Sequence, residues 1–229
     1  MNGELVVVDD VAAAFASTVV RSFLDRPNEG YAIALSGGST ARRCYEQLAA
    51  DAADTIDWWK VDVYWGDERC VPLDDPDSNY RLARESLLDR VGAANATYPM
   101  RCDEGAEPYQ LRVGELGQFD LVHLGLGPDG HTASLFPGTP ILDERSHSVA
   151  AVHVPKLDSW RVSLTLPVLE HARRLLFLVA GSDKAAMVER VLGGANGEPV
   201  PVQRIQAGGE VEWHLDADAA ALLDAEATS

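Results

Sequence analysis

Residues 31–65 read YAIALSGGSTARRCYEQLAADAADTIDWWKVDVYW. Tyr31–Leu35 is an unbroken apolar run, Ala41–Ala52 spaces its apolar residues as a helix does, and Val61–Trp65 is apolar again. A strand, a glycine turn, a helix and a second strand in that order form a parallel crossover unit. Strands that are apolar at nearly every position belong to a sheet covered on both faces. The same alternation runs outward in both directions. Leu5–Val8, Leu121–Leu124, Val149–Val154, Val162–Leu166 and Leu175–Ala180 read as further strands. Val11–Leu24, Tyr80–Val91, Glu107–Leu116, Leu169–Arg173, Lys184–Leu192 and Ala217–Leu223 read as helices. The pattern predicts an α/β fold with a largely parallel sheet. No repeat or low-complexity tract interrupts it, and the Gly193–Pro201 stretch is a loop of ordinary length. Residues 1–229 are therefore expected to form a single domain.

The composition agrees: 229 residues, 46% hydrophobic and 24% charged, suit an ordinary globular protein. Against 36 carboxylates stand 19 basic residues, a net charge of −17. Nucleic acid and anionic membrane are poor partners for such a surface. No apolar run approaches the roughly 18 residues a membrane helix needs. The segment Met1–Asp10 lacks the basic start of a signal peptide. Cys44, Cys70 and Cys102 are odd in number and widely spaced, with no CxxC pair and no histidine at zinc spacing. Reduced thiols, a cytoplasmic location, no cofactor and no catalytic metal are the expectations.

Ligands of open parallel sheets sit beyond the carboxyl ends of the strands, and four such junctions carry unusual chemistry. After Tyr31–Leu35 comes Ser36-Gly37-Gly38-Ser39-Thr40. Its glycines admit close backbone approach, Ser39 or Thr40 can cap the following helix, and a helix start with free N–H groups suits a phosphate. After Val61–Trp65 comes Gly66-Asp67-Glu68-Arg69, three consecutive charges read either as a solvated turn or as part of a site. Downstream, Ser78 or Asn79 suffices as a helix cap without any ligand. After Leu121–Leu124 comes GLGPDGHTASLFP, residues 125–137. It contains a literal GxGxxG, but Pro128 stiffens the turn, no long helix opens at Gly130 and no strand ends in an acid about 20 residues on. A dinucleotide site is rejected. What remains is Asp129 two residues from His131 in a glycine-held loop, a base with a neighbouring carboxylate. After Leu175–Ala180 comes Gly181-Ser182-Asp183-Lys184. Only three lysines occur, Lys60, Lys156 and Lys184, and Lys184 falls in a helix's first turn, where the dipole disfavours a cation. An anionic ligand or a local pairing with Asp183 explains it. Arg161, at the start of Val162–Leu166, could reach the same edge. Cys70, beside Arg69, offers a thiol partner for His131 as the weaker alternative, and His123, inside an apolar strand, reads as a core histidine.

Taken together, LSGGST (35–40), DERCVP (67–72), DSNYRLA (77–83), GLGPDGHTASLFPG (125–138) and GSDKAAMV (181–188) resemble the 6-phosphogluconolactonase family, within the wider glucosamine-6-phosphate isomerase/deaminase-like fold. The glycine loop departs from the family in continuing with Ala41 rather than proline. The resemblance implies a single-domain, largely parallel Rossmann-like sheet flanked by helices, and hydrolysis of 6-phospho-D-glucono-1,5-lactone in the oxidative pentose phosphate pathway. By that resemblance His131 is the base that activates water and Asp129 holds its imidazole. Gly37, Gly38, Ser39, Thr40 and Lys184 take the phosphate, with Arg69 and Arg161 as further anion contacts, and Asp67 and Glu68 shape the sugar pocket. Backbone N–H groups of residues 125–130 are the natural oxyanion donors. The implied partner is a small phosphosugar lactone, handled by a monomer or homodimer. An amino-sugar-phosphate isomerase/deaminase is the alternative, but that branch reads Asp-Glu-Tyr at residues 67–69 and carries an Asn-Glu-Pro where this chain has Leu135-Phe136-Pro137. A non-catalytic sugar-phosphate sensor would need a DNA-binding domain and a basic face, and neither is present.

Overall fold

A computed structural model describes residues 3–194 and 197–223. Strand β1 (Glu4–Val7) leads into helix α1 (Val11–Leu24), whose first turn is capped by the Asp10 carboxylate accepting from the Ala12 N–H at 2.8 Å. The crossover unit read from residues 31–65 is β2 (Tyr31–Leu35), α2 (Ser39–Ala52) and β3 (Val61–Trp65). Then come β4 (Asp67–Arg69), α3 (Asn79–Ala83), β5 (Ala96–Thr97), α4 (Glu107–Leu116) and β6 (Leu121–Leu124). The chain continues through β7 (Val149–Val154), β8 (Ser159–Leu164), α5 (Leu166–His171), β9 (Arg174–Val179), α6 (Ala185–Leu192) and β10 (Glu210–Leu215).

Seven strands form one parallel sheet in the order β1-β10-β9-β6-β2-β3-β5. Every residue of β2, β6 and β9 is buried, as their largely apolar character predicts. From β2 the chain steps to β3 on one side, while β6 pairs on the other. The loops that leave β2 and β6 therefore diverge and open a crevice between them, the usual ligand position in such sheets. A smaller antiparallel sheet, β4-β8-β7, stands beside it.

Several expected elements shift. Arg161 does not open a strand but lies inside β8, directly opposite Arg69 of β4. The helix expected at Tyr80–Val91 is α3 followed by a wider π-helical turn at Arg84–Leu88. The helix expected from Leu169 starts at Leu166, because Pro167 suits a first turn. Residues 217–223 form turns instead of a helix. There the Asp216 carboxylate accepts from the Gly181 and Ala219 N–H groups, and seven residues are too few to hold a helix alone. Strand β10 carries no apolar run and escapes the pattern reading. Of the expected loop 193–201, residues 195–196 lie outside the described part.

Candidate active site

The loops beyond β2, β3, β6 and β9 converge with the β7–β8 turn around one cleft of about 480 Å³, ample for a phosphorylated sugar. His131 lies at one side of it. The loop before it is a tight turn in which Gly127 N–H donates to the His131 carbonyl and Gly130 N–H to the Gly127 carbonyl. Those two amides are thereby spent, which removes them from the expected oxyanion donors. Gly130 has φ +78°, and a Cβ at Gly127 would overlap the His131 ring. Both positions require glycine for that reason.

His131 Nδ1 is 2.5 Å from Asp129 Oδ1, and Phe136 stacks on the imidazole with centroids 4.0 Å apart. Burial pushes the Asp129 carboxyl up, but the hydrogen bonds from Lys156 and His131 together outweigh it and leave the group at about 2. Asp129 is thus an anion at neutral pH, so the shared proton sits on Nδ1 and Nε2 keeps its lone pair. Burial holds the imidazole below the ordinary histidine range, over the opposing pull of Asp129. The result is a neutral ring with one basic nitrogen, the form a general base needs.

Cations gather on the same cleft. Arg69, Arg161 and Lys184 all line it, in a chain that is otherwise strongly acidic. Lys184 also lies 3.2 Å from Asp183, the local pairing that was one of its two expected roles. The loop at 36–40 lines the cleft as well. Gly38, with φ 100°, caps α2, and no side chain caps the helix. The expected Ser39 or Thr40 cap is absent, and the first-turn N–H groups keep no competing side-chain acceptor. Behind this loop the Tyr45 hydroxyl accepts from the Ser36 N–H at 2.8 Å, lies 2.7 Å from its carbonyl and meets His123 Nδ1 at 3.0 Å. Burial drives His123 down to about 3, so it is the neutral core histidine expected.

Glu68 is not a pocket residue. It is 1% exposed and turned away from the cleft. Its Oε1 accepts from the Arg69 and Asn79 N–H groups, and its Oε2 from the Tyr80 N–H and the Ser78 hydroxyl. A buried carboxylate is tolerable only with such donors, and its work is to tie β4 to the start of α3. Asp67 does line the cleft, accepting from the Ser134 hydroxyl at 2.6 Å. Ser78 caps α3 as expected, through its side chain to Arg81 N–H. Asn79, expected only as a cap, instead lines the cleft and donates to the Asp67 carbonyl.

Sequence reasoning missed Lys156. Its Nζ hydrogen-bonds Asp129 Oδ2 and stands 5.0 Å from the centre of the Phe136 ring. Its rarity in the chain was the available signal, but nothing local ties it to a loop 27 residues away.

Cys70 is bonded to Cys102, with Cα atoms 5.1 Å apart. The expectation of reduced thiols is corrected for these two, while Cys44 is a free, buried thiol, and a Cys70/His131 nucleophilic pair is excluded while that bond stands. Neither sulfur-bearing residue lines the cleft. The bond joins residues 32 apart, so Cys102→Ser should lower stability by about 2–4 kcal/mol under oxidising conditions and leave turnover in place. Thermal melts alongside a rate assay check this; a collapse of turnover in the still-folded variant contradicts it. No group of three or more potential metal ligands occurs among the described residues.

A Rossmann-like sheet whose switch point gathers a histidine–carboxylate pair and three basic side chains on one cleft is the frame of an α/β enzyme. The chain belongs to the family described as glucosamine-6-phosphate isomerases/6-phosphogluconolactonase, whose model matches residues 5–213. It is 40% identical over 202 residues to a 6-phosphogluconolactonase of Synechocystis, covering 82% of each chain. The solved 6-phosphogluconolactonase of Leishmania guyanensis superposes with TM-score 0.87 at 27% identity, over 98% of this chain and 100% of that one. A monomeric glucosamine-6-phosphate deaminase superposes with TM-score 0.81 at 19% identity, over 97% and 100%, and so shares the fold.

Proposed function

We propose that this enzyme hydrolyses 6-phospho-D-glucono-1,5-lactone to 6-phosphogluconate, with His131 as general base. The observation that carries the assignment of the base is the ionised Asp129 holding His131 Nδ1 at 2.5 Å, which leaves Nε2 free to take a proton. A lactone carbonyl is already activated, so water needs a base and no covalent nucleophile. Water attacks C1 as Nε2 removes its proton. The tetrahedral intermediate then expels the ring oxygen, which receives that proton back from Nε2 and becomes the 5-hydroxyl. The new carboxylic acid loses its own proton to solvent. Asp129 stabilises the imidazolium formed in between. Lys184 and the N–H groups of residues 37–40 hold the phosphate, Arg69 and Arg161 supply further positive charge, and Asp67 accepts from a sugar hydroxyl.

The base works only when unprotonated, and its folded pKa lies below the ordinary value of about 6.5. kcat/KM should therefore be level through neutral pH and fall only on acidification below about 6.5. A profile still rising above pH 8 would mean a different group takes the proton.

We assign a monomer or homodimer. No helix among the described residues is long and apolar enough to cross a membrane. We place the enzyme in the cytoplasm because a phosphorylated substrate does not diffuse across a membrane. The test is a pair of assays on one preparation: acid release from the phosphorylated lactone and ammonia release from glucosamine 6-phosphate. Acid release alone is expected. Ammonia release without lactone hydrolysis overturns the proposal in favour of the deaminase branch.

A further inference from the structure

We propose that Lys156 is a positioning residue for the base, anchoring Asp129 through Oδ2 and setting a positive charge beside the His131–Asp129 pair. Its kinetic consequence rests on His131 being the base; its effect on the imidazole does not. An exposed lysine on a carboxylate is ordinarily worth little, but two features set this one apart. First, the carboxylate is shared: Oδ1 meets His131 Nδ1 and Oδ2 meets Lys156 Nζ, so the lysine fixes which oxygen faces the ring. Second, the segment that delivers it is built for the purpose. Pro155–Leu157 forms a single 3-10 turn between β7 and β8 and ends at Asp158 in the left-handed conformation, φ 43°. Across its base, His153 Nε2 lies 3.2 Å from Asp158 Oδ1, and the His153 and Trp160 rings pack with centroids 5.4 Å apart.

The charged groups that face His131 are Asp129 from its own loop, Asp67 from β4 and Lys156 from the β7–β8 turn. Two carboxylates favour the imidazolium and one ammonium opposes it. Without Lys156 both carboxylates act unopposed, and the ring takes up its proton at higher pH. Arg69, Arg161 and Lys184 line the same cleft but make no hydrogen bond to Asp129.

The experiment compares wild type with Lys156→Met and Lys156→Arg. The His131 ring is titrated by NMR in the free protein, its signal identified among the six histidines by its loss in His131→Ala. The acid limb of kcat/KM for the phosphorylated lactone is measured in parallel. In Lys156→Met both midpoints should rise by on the order of half a unit or more, and in Lys156→Arg both should stay at the wild-type value. The signal followed is that of the folded state, because an unfolded fraction titrates as free histidine at about 6.5. An imidazole midpoint that stays or falls in Lys156→Met overturns the proposal. An imidazole midpoint that rises while the kinetic limb stays supports the role of Lys156 and overturns His131 as the base.

Discussion

Replacing His131 with alanine is expected to lower kcat/KM for 6-phosphogluconolactone by about 10²–10⁴-fold, the usual contribution of a positioned general base, while the protein still folds. The side chain is 25% exposed and sits in a turn whose shape comes from Gly127, Gly130 and backbone hydrogen bonds, none of which alanine removes. Its partners are Asp129 and the face of Phe136. Asp129 keeps Lys156 when the ring is gone, so no buried charge is orphaned. The loss should therefore fall on the rate, with little change in melting temperature. Near wild-type turnover from a folded His131→Ala protein would end the assignment.

Lys184→Ala should weaken use of the phosphorylated lactone by about 1.5–3 kcal/mol, the range for a charge-assisted hydrogen bond. It should hardly alter the hydrolysis of unphosphorylated gluconolactone. A chain of net charge −17 repels a dianion at long range, so attraction has to come from groups inside the cleft, where salt screens least. The Lys184 side chain is 23% exposed and shares its charge with Asp183, which places the effect toward the lower end of that range. Arg69 and Arg161 retain part of the binding. Comparing kcat/KM for both lactones in wild type and variant decides the point. Equal losses on the two substrates would mean that Lys184 serves the fold or the chemistry and that the phosphate binds elsewhere.

The central strands were legible because burial on both faces writes itself as apolar runs, as in β2 and in Leu175–Val179 of β9. Strand β10 was not, because its sequence EVEWHL alternates charge with apolar residues. Its inward Glu212 and His214 are buried only because Arg21 and Arg174 reach Glu212 across the fold and His214 lies beside it, and such compensation comes from residues far away in the chain. The same reason separates the site residues. Asp129 and His131 are neighbours in sequence, and their partnership could be read directly. Glu68 and Arg69 are adjacent too, yet one faces the cleft and the other is buried against the start of α3, because successive side chains of a strand point to opposite faces. Lys156 meets Asp129 only through the β7–β8 turn, and the Cys70–Cys102 bond closes through tertiary structure that no spacing announces.

The most direct test of this arrangement is a crystal structure with the product, 6-phosphogluconate, bound. The C1 carboxylate should lie within hydrogen-bond reach of His131 Nε2, at roughly 2.6–3.2 Å. The phosphate should rest on Lys184 and the N–H groups of residues 37–40. A product bound in the opposite sense, with its phosphate against His131 and its carboxylate at Lys184, or bound outside this cleft, would contradict it.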